Sequence, residues 1–138
     1  MTHAPEGAID CDIHPALPSV RMLLDHLEPY WREHILRRGL ERDSFETLAF
    51  PTTAPLNARP DWTPAADNVE TLRAHLLDRA KPEFAICNVL HGAPAIFSED
   101  LSAAFCRAIN DWMVKEWLDR DARLRASIVI GARSRSFR

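Results

Sequence analysis

Several large functional classes leave signatures that this sequence lacks. There are four glycines in 138 residues, each isolated, so no glycine-rich loop is available to cradle a phosphate. No G-x-S-x-G turn occurs, which removes the usual exposed-serine elbow of a hydrolase triad. The three cysteines, Cys11, Cys87 and Cys106, are odd in number and show no CxxC spacing, which argues against a thiolate zinc site. They read as reduced, buried thiols rather than a disulfide framework, and so point to the cytoplasm. Basic excess is missing too: the net charge is -3, and no nucleic-acid partner is expected. Apolar runs are short and broken by charge, so no membrane partner is expected. The first ten residues, MTHAPEGAID, lack the basic-then-apolar order of a secretory signal.

What remains is an ordinary globular composition. An apolar fraction of 46% can build a packed core, and the length allows one domain. Residues 7–15 (GAIDCDIHP) alternate Ile9, Cys11 and Ile13 with Asp10, Asp12 and His14, the period of a strand that Pro15 closes. Residues 19–39 read as two helices, because Pro29 fits a first helical turn and not an interior. Val20, Leu23, Leu24 and Leu27 make the apolar face of the first; Trp31, Ile35 and Leu36 that of the second, with Gly39 as its cap. Residues 43–66, with four prolines, read as a long loop in which Trp62 is a packing anchor or a contact at a pocket mouth or interface.

A third helix is expected from Asp67, with Glu70 completing a capping box and Val69, Leu72, Leu76 and Ala80 as its stripe. Residues 83–91 (EFAICNVLH) form a nearly continuous apolar run, as in a strand buried on both faces. Ser98 caps a helix lined by Leu101, Phe105, Ile109, Trp112 and Met113 and running to about Leu118. Residues 125–130 (RASIVI) supply a third strand. Strand, helices, strand, helix, strand is the order of a parallel α/β fold, and periodicity suits a barrel or a doubly wound sheet equally.

The chemistry concentrates on Asp12 and His14. Two apart on a strand, their side chains leave one face, at the C-terminal end where parallel α/β folds place reactive groups. A carboxylate and an imidazole converging there can share a divalent metal. D-x-H alone carries little specificity, and a strand-end Asp and His bonded to loop backbone explains it as well. His91 follows the second strand and is either a loop residue or a substrate contact. His26 and His34 fall on the early helices, while His3 and His75 have no partner pattern. Trp112 fits the core stripe, and Asp111 reads as structural.

Taken together, IDCDIHP, YWREHILRRG, AICNVLHG and the stretch SEDLSAAFCRAINDWMVKEWLDRDARLRASIVI resemble the amidohydrolase-related family. This branch of the amidohydrolase superfamily includes decarboxylases of the aminocarboxymuconate-semialdehyde and resorcylate types. The resemblance runs from about residue 8 to residue 130 and is most specific at DCDIHP and from Asn110 to Leu118. It implies a (β/α)8 barrel, here about its first three parallel strands, with one catalytic metal, usually zinc. It also implies that Asp12 and His14 are the first-strand metal ligands, and that a small organic acid or amide is hydrolysed or decarboxylated.

Family members are more than twice as long, and their other ligands lie on strands beyond these. After Ile130 the sequence turns to GARSRSFR, a basic tail (131–138) expected to be a premature end or a partner-binding appendage. The competing expectation is therefore a catalytically inactive remnant, oligomerising through its open sheet. A pure binding module has little support in the residues.

Overall fold

The computed structural model describes residues 7–16, 18–42 and 68–131. The long loop, Trp62, Asp67 and most of the basic tail lie outside these residues. Three strands, β1 (Ile9–Ile13), β2 (Phe84–Cys87) and β3 (Leu124–Ala126), form one parallel sheet in the order β1-β2-β3. Each crossover therefore steps to the next strand in the same direction. With crossovers of one hand, that succession puts successive helices on one face, as in a barrel wall. The helices of the two crossovers do meet: α1 (Val20–Leu23) packs against α5 (Glu99–Glu116). The fold is α/β, an open three-stranded part of a TIM barrel.

Local chemistry explains most element ends. Ser19 caps α1 by accepting from the Met22 N–H at 3.3 Å, and a 3-10 turn (Leu24–His26) continues it. Helix α2 (Pro29–Arg38) opens on its proline and stops at Gly39, whose φ of 69° is the left-handed cap a glycine adopts without strain. Of its expected apolar face, Ile35 is buried and Trp31 half-buried, but Leu36 is exposed. A short helix with one buried position needs only a narrow stripe, so the third apolar residue is left in solvent.

The next helix begins one residue later than the capping box suggests. Asn68 is the cap, its side chain accepting from the Thr71 N–H at 2.8 Å. The helix runs as α3 (Val69–Leu72), a π-helical turn (Arg73–Leu77) and α4 (Asp78–Ala80). That wider turn rotates the stripe, so Leu77 is fully buried and Leu76 only partly.

Strands are shorter than their apolar runs. β2 ends at Cys87, four residues before His91, and β3 ends at Ala126 instead of Ile130. Ile128 and Ile130 are consequently 77% and 72% exposed. A residue outside the ladder gains nothing from β propensity unless a neighbouring surface covers it. Val129 is held by the Asn110 amide of α5, which donates to its carbonyl and accepts from its N–H, both at 2.9 Å. The core lies between the sheet and α5, around Phe105, Ile109, Trp117 and Leu124, with Trp112 and Trp117 edge to face at 6.2 Å.

Candidate metal centre

The C-terminal end of β1 is irregular. Ile9 and Asp10 pair with Phe84 and Ala85, yet Ile13 pairs with Cys87. Three steps along β1 thus oppose two along β2, a bulge with one extra residue in the Cys11–Asp12 stretch. The strict alternation expected from the sequence is broken at that point. The Asp10 carboxylate accepts from the Asp12 N–H at 3.0 Å, a local turn that accommodates the extra residue.

Asp12 and His14 nonetheless converge. Asp12 Oδ1 lies 3.1 Å from His14 Nε2, with side chains 89% and 35% exposed. His14 Nδ1 lies 3.1 Å from the Asn88 carbonyl oxygen. A carbonyl can only accept, so Nδ1 carries a hydrogen, and in a neutral ring Nε2 then presents a lone pair toward a carboxylate oxygen. Two such donors stay together comfortably only with a proton or a cation between them. A backbone carbonyl on the far nitrogen is also the arrangement that orients metal-binding imidazoles. The pair therefore fits a divalent ion by chemistry and geometry. Among the described residues no cluster of three or more His, Cys, Asp or Glu side chains is gathered, so further donors would be water or groups outside them.

His91 lies elsewhere in character. It is 5% exposed, and its Nδ1 accepts from the Ala93 N–H at 3.0 Å, stapling the 3-10 turn Ala93–Ala95. Burial pushes its pKa down to about 4, so the ring is neutral and its hydrogen sits on Nε2. Cys11, in the bulged stretch of β1, is exposed, contrary to the expectation of three buried thiols. Cys87 and Cys106 are buried, and burial pushes the Cys87 thiol up to about 12.

Sequence reasoning missed Asn88, which it absorbed into an apolar strand. The asparagine Nδ2 donates to the Cys11 carbonyl at 2.8 Å, and its N–H donates to the Ile13 carbonyl at 2.7 Å. A polar residue interrupting the run AICNVL was the available signal.

At the opposite end of the sheet stands a group the sequence also left unremarked. Asp121 accepts from Arg73 Nε at 2.8 Å, and from Arg123 through Nη2 at 2.8 Å and through Nε and N at 3.0 Å. Arg123 reaches on to the Leu77 carbonyl at 3.0 Å and to Asp78 at 3.2 Å, and Arg73 to the Arg120 carbonyl. The Arg123 guanidinium, with Arg73, holds the Asp121 carboxyl far below the usual carboxylate range.

No helix among the described residues is long and apolar enough to cross a membrane. No curated protein matches the sequence. The amidohydrolase family profile matches residues 9–135, nearly the whole chain, and includes β1 with its Asp12–His14 pair. Families of this kind generally use a divalent metal, and the sequential parallel sheet is consistent with part of their barrel. The chain belongs to the amidohydrolase family.

Proposed function

We propose that Asp12 and His14 are first-strand ligands of a single divalent metal, zinc, in an enzyme that hydrolyses or decarboxylates a small organic acid or amide. One observation carries this reading: the 3.1 Å approach of Asp12 Oδ1 to His14 Nε2, with His14 Nδ1 committed to the Asn88 carbonyl. When bound, the metal supplies Lewis-acid polarisation of a substrate oxygen or lowers the pKa of a water. The chain's own part is to keep the imidazole in one tautomer and to deliver a carboxylate oxygen beside it. His91 follows the C-terminal end of β2 and is the candidate substrate contact of the second strand. The test is metal content of the purified chain, wild type against Asp12→Ala and His14→Ala. Stoichiometric metal in the wild type and its loss in both variants supports the proposal; equal metal content in all three refutes it.

A second reading is favoured by the sheet. β1 and β3 each pair with one strand among the described residues, and Ile9, Ile128 and Ile130 are exposed beside them. Unpaired edges flanked by apolar side chains drive association. In this reading the chain acts as an oligomerising structural piece. A single sharp monomer in light scattering, with cooperative unfolding, would count against it.

A further inference from the structure

Asn88 is the first residue past β2, and its hydrogen bonds go to three residues of the first strand's end. Its amide reaches the Cys11 carbonyl at 2.8 Å and, more weakly, the Ile86 carbonyl at 3.4 Å. Its N–H reaches the Ile13 carbonyl, and its own carbonyl receives His14 Nδ1–H. These contacts fall on both sides of Asp12. A bulge interrupts ladder hydrogen bonding, and the polar groups it displaces need another partner. Here that partner for the Cys11 carbonyl is a side-chain amide from the residue just past the neighbouring strand.

We infer that Asn88 is a positioning residue for the Asp12–His14 pair, its side-chain amide replacing the ladder bond that the β1 bulge interrupts and so setting the aim of both side chains. This rests on the proposed metal role of the pair, which supplies the reason for the aim. The amide has to donate: Cys11 and Ile86 both present carbonyl oxygens to it. Of the Asn88 contacts to β1, only the one to Cys11 comes from the side chain, so substitution removes that bond and leaves the two backbone bonds to respond. Released at Cys11, the bulge is held by the Asp10 turn alone on one side of Asp12, and the His14 ring is free to leave the Asn88 carbonyl.

The decisive substitution is Asn88→Asp, which keeps the shape and sets a carboxylate against two carbonyls. Asn88→Gln retains a donor. Two readouts on the full chain are taken together, with circular dichroism and Tm to establish folding. The first is the metal-free tautomer of His14, from ring 15N shifts at a pH where the imidazole is neutral. The second is the affinity for cobalt(II) alone, followed by its visible absorption.

The wild type is expected to show the Nδ1–H form. Asn88→Asp is expected to lose it and to bind cobalt at least about tenfold more weakly, the usual effect of removing a group that orients a ligand. Asn88→Gln is expected to recover the tautomer and most of the affinity. An Asn88→Asp chain that is folded and keeps the wild-type tautomer overturns the inference, as does an Asn88→Gln chain as impaired as Asn88→Asp. Should Asn88→Asp not fold, Asn88→Ala carries the same comparison. A wild type that binds no cobalt sinks the metal reading, and the tautomer readout then decides on Asn88 by itself.

Discussion

The two ends of the sheet are built on opposite principles. At the N-terminal end, before β3, Asp121 has an 8% exposed side chain and every hydrogen bond of its carboxylate comes from an arginine or its own turn. At the C-terminal end Asp12 is 89% exposed, and its ion-pair partner among the described residues is His14. Both ends carry aspartates among basic partners, yet only the first is arranged for stability. A carboxylate whose lone pairs are saturated by guanidinium groups has no capacity left for a ligand; one that faces solvent beside a single imidazole does. The difference teaches that charge pairing by itself does not mark a site. The candidate pair differs in having an exposed carboxylate beside an imidazole on a bulged strand end.

The largest expected effect breaks the N-terminal end. Asp121→Asn leaves Arg73 and Arg123 facing a neutral amide and should destabilise the chain by about 3 kcal/mol, the low end for splitting a mostly buried pair, since Arg123 is partly solvated. Metal binding by the surviving folded fraction should be unchanged. Denaturant unfolding checks it, and a loss under about 1 kcal/mol would show that the network is decorative.

Acid should separate the contributions next. His91 has a folded pKa near 4 against 6.5 for the free group, so the unfolded chain takes up its proton first. Its contribution is therefore complete above about pH 6.5 and lost as pH falls toward 4, by up to about 3 kcal/mol. The Asp121 carboxyl is depressed by its arginines, so its contribution stays until pH drops below the ordinary carboxylate range. Stability measured against pH should fall in two stages, and His91→Gln should remove the upper one. A single stage below pH 4 in the wild type would contradict the burial of His91.

At the other end, Asp12→Ala should abolish metal uptake while changing stability by no more than about 0.5 kcal/mol, as for most exposed substitutions. Paired measurement of metal content and unfolding tests this, and a large stability loss without metal change would reverse the comparison. The smallest effect is chemical. An alkylating reagent on the folded chain should modify Cys11 and spare Cys87 and Cys106, whose thiols burial keeps protonated. Peptide mass mapping distinguishes the three, and equal labelling would mean that the core opens readily.

Much of this architecture was legible in the residues. Pro29, Gly39 and Ser98 mark helix ends because capping depends on one or two neighbouring positions. The stripe Phe105, Ile109, Trp112 and Met113 is buried as its spacing requires, since an 18-residue helix averages out local exceptions. Strand lengths were not legible. EFAICNVLH and RASIVI look continuous because apolar periodicity records burial, whereas a ladder ends where its neighbour ends. Asn88 was hidden for the same reason: its partner, the Cys11 carbonyl, lies 77 residues away in the chain.

By itself the sequence determined the order of elements, the resemblance to the amidohydrolase family, and Asp12 and His14 as a candidate pair. The order follows from local rules of capping and period, the pair from side-chain chemistry at a strand end, and the family from the resemblance of whole segments. Only the tertiary structure decided that β1 bulges beside Asp12, that the Asn88 carbonyl lies against His14 Nδ1, and that Asp121 belongs to a network with Arg73 and Arg123. Each depends on backbone groups brought together from distant parts of the chain, and every residue carries the same N–H and C=O whatever its name.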